Sequence, residues 1–356
     1  MAHVVVGMSG GVDSAVAALL MKREGHDVTG VFMNNWEEKD ESGVCTSEKD
    51  WADARHVCDI LDIPVYSVNF AKDYQERVFK HFIAEYEKGR TPNPDVLCNR
   101  EIKFDVFLKF AKSIGAEMLV TGHYASCSHE NGVHRLLRAK DENKDQTYFL
   151  YMLNQAQLEI AHFPLGGLNK AEVREIARQN GIPVSEKKDS TGVCFIGERN
   201  FREFLKNYLP AQPGPMLTPE GKKVGEHIGL MYYTLGQRRG LGIGGGGTGE
   251  RWFVVEKDFS RNALIVEQGA DSPRLYTLES TGSELTWISG HAPAEEGQPF
   301  RCKVRLRHRQ PLQDCEFVPE GGSVRIRFDA PQRAVTPGQS AVFYLEQDCL
   351  GGCIID

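Results

Sequence analysis

The chain has 356 residues, 41% hydrophobic and 26% charged, with a formal net charge of −7. This is ordinary globular material, long enough for two or three domains, and it excludes a polycation, so any nucleic-acid contact must come from local patches. No apolar run approaches the roughly 18 residues of a membrane helix. The first strand begins too near Met1 to leave room for a signal peptide, and nine cysteines lack the regular spacing of a secreted scaffold. A cytoplasmic protein without membrane contact is expected.

In chain order, the first half alternates strand and helix. HVVVG leads through a glycine turn into the helix SAVAALLMKREG, stopped at Gly25. Then come the strand DVTGVFM, a polar segment, the helix DWADARHVCDILDI, the strand PVYSVNF, the helix YQERVFKHFIAEYEKG, a Pro-rich loop, the helix EIKFDVFLKFAKSIG and the strand AEMLVTGHYAS. Such alternation with continuous apolar strands predicts a parallel sheet with helices on both faces. Ligands of that architecture bind beyond the carboxyl ends of the strands, where GMSGGVDS, FMNNW and TGHY converge.

Further on, NKAEVREIARQNGIP predicts a helix capped by Asn169, boxed by Glu172 and stopped by Gly181. The join PAQPGP precedes a glycine-rich stretch, TLGQRRGLGIGGGGTGE. Beyond about residue 250, WFVVEKD, ALIVEQG, CKVRLRHRQ, SVRIRFD and SAVFYLEQD alternate and are separated by turns, which predicts an antiparallel barrel or sandwich. The expected division is a catalytic domain over 1–200, a small glycine-rich central domain over 201–270 and a C-terminal β-barrel over 271–356.

The first glycine turn, Gly7, Met8, Ser9, Gly10, Gly11, Val12, Asp13 and Ser14, has the physical makings of a phosphate site: close-approaching amides and a helix start. It lacks the lysine of G-x-x-x-x-G-K-[ST] and the spacing of G-x-G-x-x-G. It offers hydroxyls and amides for a pyrophosphate, and in Asp13 a carboxylate able to hold magnesium.

SGGVDS resembles the PP-loop of the N-type ATP pyrophosphatases, whose fold is adenine nucleotide alpha hydrolase-like. GRTPNPDVLCNREIKF, TGHY, KDQTYFLY, KKDSTGVCFIGERNFREFL and GLMYYTLGQRRGLGIGG closely resemble the bacterial tRNA-specific 2-thiouridylase family over nearly the whole chain. The resemblance implies ATP with Mg2+ as cofactors, cleavage at the α phosphate, and adenylation of O2 of a tRNA wobble uridine. It further implies replacement of that oxygen by sulfur handed over by a sulfur-donor protein. No other metal site is expected.

The chemistry needs two thiols, since sulfur relays pass through persulfides and a second thiolate. Cys98 lies three residues after Asp95, which places both on one face if the segment is helical, and Asp95 can serve as general acid or base. Cys194 sits in the glycine-flanked DSTGVCFIG. By resemblance Cys194 carries the persulfide, Cys98 is the nucleophile, and the two form a disulfide as the thiolated base leaves. Direct persulfide attack and released hydrosulfide both stay open, as does a cluster held by the two cysteines and a third ligand. The other seven cysteines read as buried apolar residues.

The resemblance also assigns Met33 and Gly122 to the nucleotide, and Asn93, Pro94 and Asp95 to the target base. It assigns His123, Lys144, Asp145, Gln146, Arg307, His308 and Gln339 to tRNA, although a lone histidine at a strand end is more often a hydrogen-bonding fixture. In RCKVRLRHRQ, Arg301, Lys303, Arg305, Arg307 and Arg309 fall on one strand face and predict a cationic ladder. Residues 271–356 hold nine Lys or Arg against twelve Asp or Glu, so such a face would be local. Two other readings stand beside this one: another PP-loop adenylating enzyme, which would need no cysteine pair, and a noncatalytic RNA-binding protein on a nucleotide fold.

Overall fold

The computed structural model describes residues 1–36, 46–188, 201–244 and 248–356. It opens with β1 (His3–Met8), α1 (Val12–Arg23), β2 (Asp27–Asn34), α2 (Thr46–Leu61) and β3 (Val65–Asn69). A third helix, α3, runs through Ala71–Tyr74, Gln75–Phe79 and Lys80–Glu87, and a fourth, α4, through Pro94–Leu97, Cys98–Val106 and Phe107–Ser113; the middle stretch of each widens to π-helical turns. Next come β4 (Met118–Val120), β5 (Ser126–Glu130), β6 (Val133–Leu137), β7 (Ala161–His162) and α5 (Lys170–Gln179).

Five strands form a parallel sheet in the order β3-β2-β1-β4-β7. Alternation along β1 divides the core between two faces. Val4, Val6 and Met8 pack with α1, α2 and α5, whereas Val5 packs with α3 and α4 through Val78, Phe82, Phe104 and Phe107. Strand order reverses at β1, so the gap between the carboxyl ends of β1 and β4 is the switch-point crevice of an open parallel sheet. The caps fall where the sequence puts them: Asn169 and Glu172 close a reciprocal box on α5, and Gly181 lies beyond its end at φ +65°. One expectation fails. AEMLVTGHYAS is not a single strand: β4 stops at Val120, the chain turns through Gly122, and β5 begins at Ser126 in a different sheet.

After α6 (Phe201–Lys206), four strands form a separate central sheet: β8 (Gly214–Leu217), β9 (Lys223–His227), β10 (Trp252–Asp258) and β11 (Ala263–Gln268), in the order β10-β11-β8-β9. The last six are β12 (Tyr276–Trp287), β13 (Phe300–Arg305), β14 (Gln313–Glu320), β15 (Ser323–Arg333), β16 (Ser340–Leu345) and β17 (Asp348–Ile355). They run β12-β15-β14-β13-β16-β17, and β17 pairs back onto β12, which closes an antiparallel barrel around Val304, Phe317, Ile326 and Phe343. The β5–β6 hairpin of the first half adds to this sheet through Leu136 opposite Cys349, so the barrel is bonded to the parallel-sheet unit by main chain. Among the described residues no helix is long and apolar enough to cross a membrane.

Candidate active site

The turn between β1 and α1 is shaped by steric exclusion. Gly10 sits at φ +70°, and a Cβ there would stand 2.4 Å from the Asp50 carbonyl oxygen, so only glycine fits. Ser14 ties the turn together. Its Oγ accepts from the Ser9 amide at 3.1 Å, lies 3.1 Å from Ser9 Oγ and donates to the Gly11 carbonyl at 3.1 Å. The opening N–H groups of α1 have no intrahelical partner, and Ser9 is exposed beside them. Met8 and Val12 bury their side chains in the core behind, leaving main chain as what they present.

Gly122 closes the other side of the crevice. A Cβ on it would lie 2.7 Å from Ser14 N and 2.8 Å from the Asp13 carbonyl carbon, so its lack of a side chain lets the end of β4 touch the start of α1. Gly7 is similarly tight against Phe107 of α4, with Met33 beyond at the end of β2. A crevice of this kind, floored by glycine main chain and a helix start, fits a triphosphate.

Sequence reasoning found no lysine in the loop; the fold brings two from far along the chain. Lys170, the first residue of α5, donates to both Asp13 oxygens at 2.8 Å, and Tyr124 OH donates to Asp13 Oδ1 at 2.8 Å. Lys187 donates to the Gly10 carbonyl at 3.0 Å and to Asp50 and Asp53 at 2.8 and 2.6 Å. Burial alone would lower the Lys187 pKa, yet those two carboxylates hold it above its ordinary value. Asp13, expected as a magnesium ligand, therefore already has both oxygens engaged by an ammonium. Asp13 is the carboxylate at the crevice that could meet a magnesium ion bound to a triphosphate, if Lys170 gives way.

The second part of the site is the start of α4. Asn93 Oδ1 accepts from the Asp95 amide at 3.1 Å, Pro94 occupies the first helical position, and Asp95 lies in the first turn. Asp95 and Cys98 are one helical turn apart, and Cys98 is buried at the head of the π-helical stretch. Nine residues further along the same helix, roughly 13 Å, Phe107 lies under Gly7. One rigid element thus connects the glycine crevice to Cys98.

Barrel loops reach over this helix start. Gln339 Nε2 donates to the Thr91 carbonyl at 2.6 Å, and the Thr91 amide donates to the Pro337 carbonyl at 2.8 Å. The His308 ring lies 4.5 Å from Phe149. Tyr148, fully buried, hydrogen-bonds Asn93 and donates to the carbonyls of Leu306 and Ser340; burial pushes its phenol up. Arg307 donates to the Ala334 carbonyl at 2.7 Å. Thr91 and Asn93 are thus tied, directly and through Tyr148, to Leu306, Pro337, Gln339 and Ser340, more than 200 positions away in sequence.

Three models of one protein family match in succession: the tRNA methyl transferase HUP domain over residues 2–198, its PRC-barrel domain over 202–268, and the aminomethyltransferase beta-barrel domain over 279–355. The tRNA-specific 2-thiouridylase MnmA of Alkaliphilus oremlandii is 56% identical over 99% of this chain and 96% of its own length. The chain belongs to the tRNA-specific 2-thiouridylase family. Another member, from Geobacillus thermodenitrificans, is 54% identical over 99% of this chain and 94% of its own. Among solved structures, a 4-thiouridine synthetase in complex with RNA and ATP is similar at 19% identity and a TM-score of 0.37, covering 59% of this chain and 50% of that one.

Of the residues that the family resemblance assigns to tRNA, two have buried side chains. His123 is buried between Phe104 and Phe163 with Nδ1 2.8 Å from Thr121 Oγ1, and burial, with Lys103 nearby, holds its pKa well below the ordinary value. It is a neutral fixture of the crevice wall. The Asp145 side chain is fully buried, accepting from Arg305 at 2.7 Å, from Thr147 Oγ1 and from the Ala139 amide. It joins the first domain to the barrel. Between its neighbours, Gln146 accepts the Tyr124 amide at 2.9 Å and Lys144 is half-buried.

The cationic ladder is likewise dismantled: Arg301 pairs with Asp329, Lys303 with Asp314, Arg305 is inside, and the strand ends at Arg305, so Arg307 and Arg309 lie on a turn. Alternation assigns a strand residue to a face, but it does not say what packs on that face.

Of the other cysteines, Cys58, Cys302, Cys315, Cys349 and Cys353 are buried and Cys127 half-buried; burial pushes Cys58 and Cys127 up to about 12. These are packing residues. Cys194 and Cys45 lie outside the described residues.

Proposed function

We propose that the chain is an ATP-dependent tRNA-uridine 2-sulfurtransferase. The observation that carries the reading is the connection of the glycine crevice to Asp95 and Cys98 through α4, with a barrel loop bearing Gln339 bonded to Thr91 just before that helix starts. ATP lies in the crevice with its phosphates on the amides of residues 9–14, between Lys170 and Lys187, and its base toward Met33 and Gly122. Asp13 would hold a magnesium ion at the crevice, and such an ion would supply charge neutralisation for the triphosphate.

The wobble uridine enters over Asn93 and Pro94. Its O2 attacks the α phosphorus, the bond to the β-phosphate oxygen breaks, and pyrophosphate leaves. Asp95 takes or returns the N3 proton. Oxygen thus becomes part of a good leaving group, AMP. Sulfur arrives as a Cys194 persulfide loaded by a donor protein. The Cys98 thiolate attacks the inner sulfur of that persulfide, the S–S bond breaks, and hydrosulfide is released as a Cys98–Cys194 disulfide forms. Hydrosulfide adds at C2, and AMP departs with the former O2. An external thiol reduces the disulfide before the next turnover. Direct attack by the terminal persulfide sulfur reaches the same product, and the two routes share every residue named.

The test is separation of steps. Cys194→Ser should abolish 2-thiouridine formation from persulfide donors while AMP formation with unmodified tRNA persists; loss of both together would remove the division of labour. Asp95→Asn should slow adenylation itself.

A further inference from the structure

We propose that Lys257, near the end of β10 in the central sheet, is a positioning residue for the transfer: together with Phe259 it pins the turn between α3 and α4 that carries Asn93. The proposal rests on the reading of Asn93 and Asp95 as the target-base site and names what holds them in place.

The turn is short and stiff. It spans residues 88–93, with Pro92 inside it and Pro94 opening α4. Proline fixes its own φ near −65° and confines the residue before it, so little torsional freedom is left between Thr91 and Asp95. Gly89 is the loose point, at φ +75°, a left-handed conformation that no other residue of the turn adopts.

The central domain holds that loose point in two ways. The Lys257 ammonium donates to the Gly89 carbonyl at 2.9 Å. The Phe259 ring lies so close that a Cβ on Gly89 would stand 1.9 Å from its Cζ. Asp258, between them, stiffens the hairpin that carries both: it accepts from Ser260 Oγ at 2.6 Å and from the Arg261 amide and Nε at 3.0 and 2.6 Å.

Lys257 differs from Lys206 and Lys223, which are each paired with a glutamate at the surface. Among the described residues it has no carboxylate partner, and burial lowers its pKa to about 8. Withdrawing an ammonium from water to meet one main-chain carbonyl is costly, so this contact does not persist as a surface accident. The barrel holds the next two residues. Arg90 donates to the Ile355 carbonyl at 2.9 Å, and Thr91 is bonded to Pro337 and Gln339. With both accessory domains fixing residues 89–91, a displacement there passes through the two prolines to Asn93 and Asp95.

The full-length protein is tested with unmodified tRNA and MgATP, measuring kcat for AMP formation, the KM for tRNA and for ATP, and the melting temperature. Lys257→Met keeps the length of the side chain without the donor, Lys257→Arg restores a donor, and Lys223→Gln is a control in the same domain. Phe259→Ala is the second probe; its ring is 56% exposed, so folding is retained. Lys257→Met should lower kcat about tenfold with both KM values unchanged, because small misplacements act on the rate of a reaction that depends on alignment. Lys257→Arg should recover most of the rate, Phe259→Ala should also lower kcat, and the control should match the unsubstituted protein. If Lys257→Met does not fold, Phe259→Ala carries the same prediction.

Unchanged kcat in both Lys257→Met and Phe259→Ala would overturn the proposal. So would a lower melting temperature with kcat intact, which would make the contact a domain fastener, or a raised KM for tRNA with kcat intact, which would make it an RNA contact. Failure of arginine to restore the rate would overturn it too. If the unsubstituted protein forms no AMP with tRNA, the functional reading fails; if it does while the variants match it, only the pin fails.

Discussion

Asp145→Ala separates a structural role for this carboxylate from an RNA contact. The side chain is fully buried and accepts from Arg305, which is itself 3% exposed, as well as from Thr147 Oγ1 and the Ala139 amide. Truncation leaves the Arg305 guanidinium inside, with the Tyr344 ring 5.4 Å away as its main remaining company. Removing one partner of a buried pair costs about 3–5 kcal/mol because the other charge is stranded. With an m value near 3 kcal/mol/M, the urea midpoint of the transition that separates barrel from parallel sheet should fall by about 1–1.7 M. Asp145→Ala/Arg305→Met should recover most of that loss, since no charge is then left inside. The measurement is urea unfolding followed by tryptophan fluorescence. An unchanged midpoint for the single variant, with weaker tRNA binding, would refute the structural assignment and restore Asp145 as an RNA ligand.

Gly122→Ala forces a methyl to within 2.7 Å of Ser14 N, so α1 must retreat by about 0.7 Å, at an overpacking cost of about 1–3 kcal/mol; ATP affinity by calorimetry should fall well beyond the loss in melting temperature. Lys170→Met removes the ammonium from Asp13 and leaves that carboxylate facing an incoming triphosphate; the KM for ATP should rise about tenfold, the scale of one charge-assisted hydrogen bond, and an unchanged KM would show that Lys170 only braces α5. His123 stays neutral in the folded protein because burial lowers its pKa well below 6.5. The unfolded chain protonates near that value and the folded one does not, so stability present above about pH 6.5 is lost as pH falls. Its imidazole NMR signal should show no titration between pH 6 and 8, and His123→Gln should remove part of the acid sensitivity.

The parallel sheet was legible because its strands are continuous apolar runs punctuated by glycine, and the α5 box because Asn169 and Glu172 signal through local spacing. The start of α4 was legible too, since Asn, Pro and Asp each suit their cap position. What sequence could not convey was assembly. Nothing near SGGVDS announces Lys170 or Lys187, which arrive through tertiary packing of α5 and the chain after it. Arg305 looks like its exposed neighbours in the alternating pattern, and only the docking of the barrel against Asp145 turns it inward. His123 lies inside the stretch AEMLVTGHYAS that reads as one strand, but the strand stops at Val120 and the chain turns through Gly122, so its ring falls into the wall. The β5–β6 hairpin joins a barrel whose other strands lie more than 130 residues away, a pairing that no local period encodes.

The most direct measurement combines the protein with unmodified tRNA, MgATP and a persulfide donor, then quantifies nucleosides and nucleotides from the same reaction. The account predicts one 2-thiouridine at the wobble position for each AMP and pyrophosphate released. ADP with phosphate, or AMP release without any thiolated uridine, would contradict it.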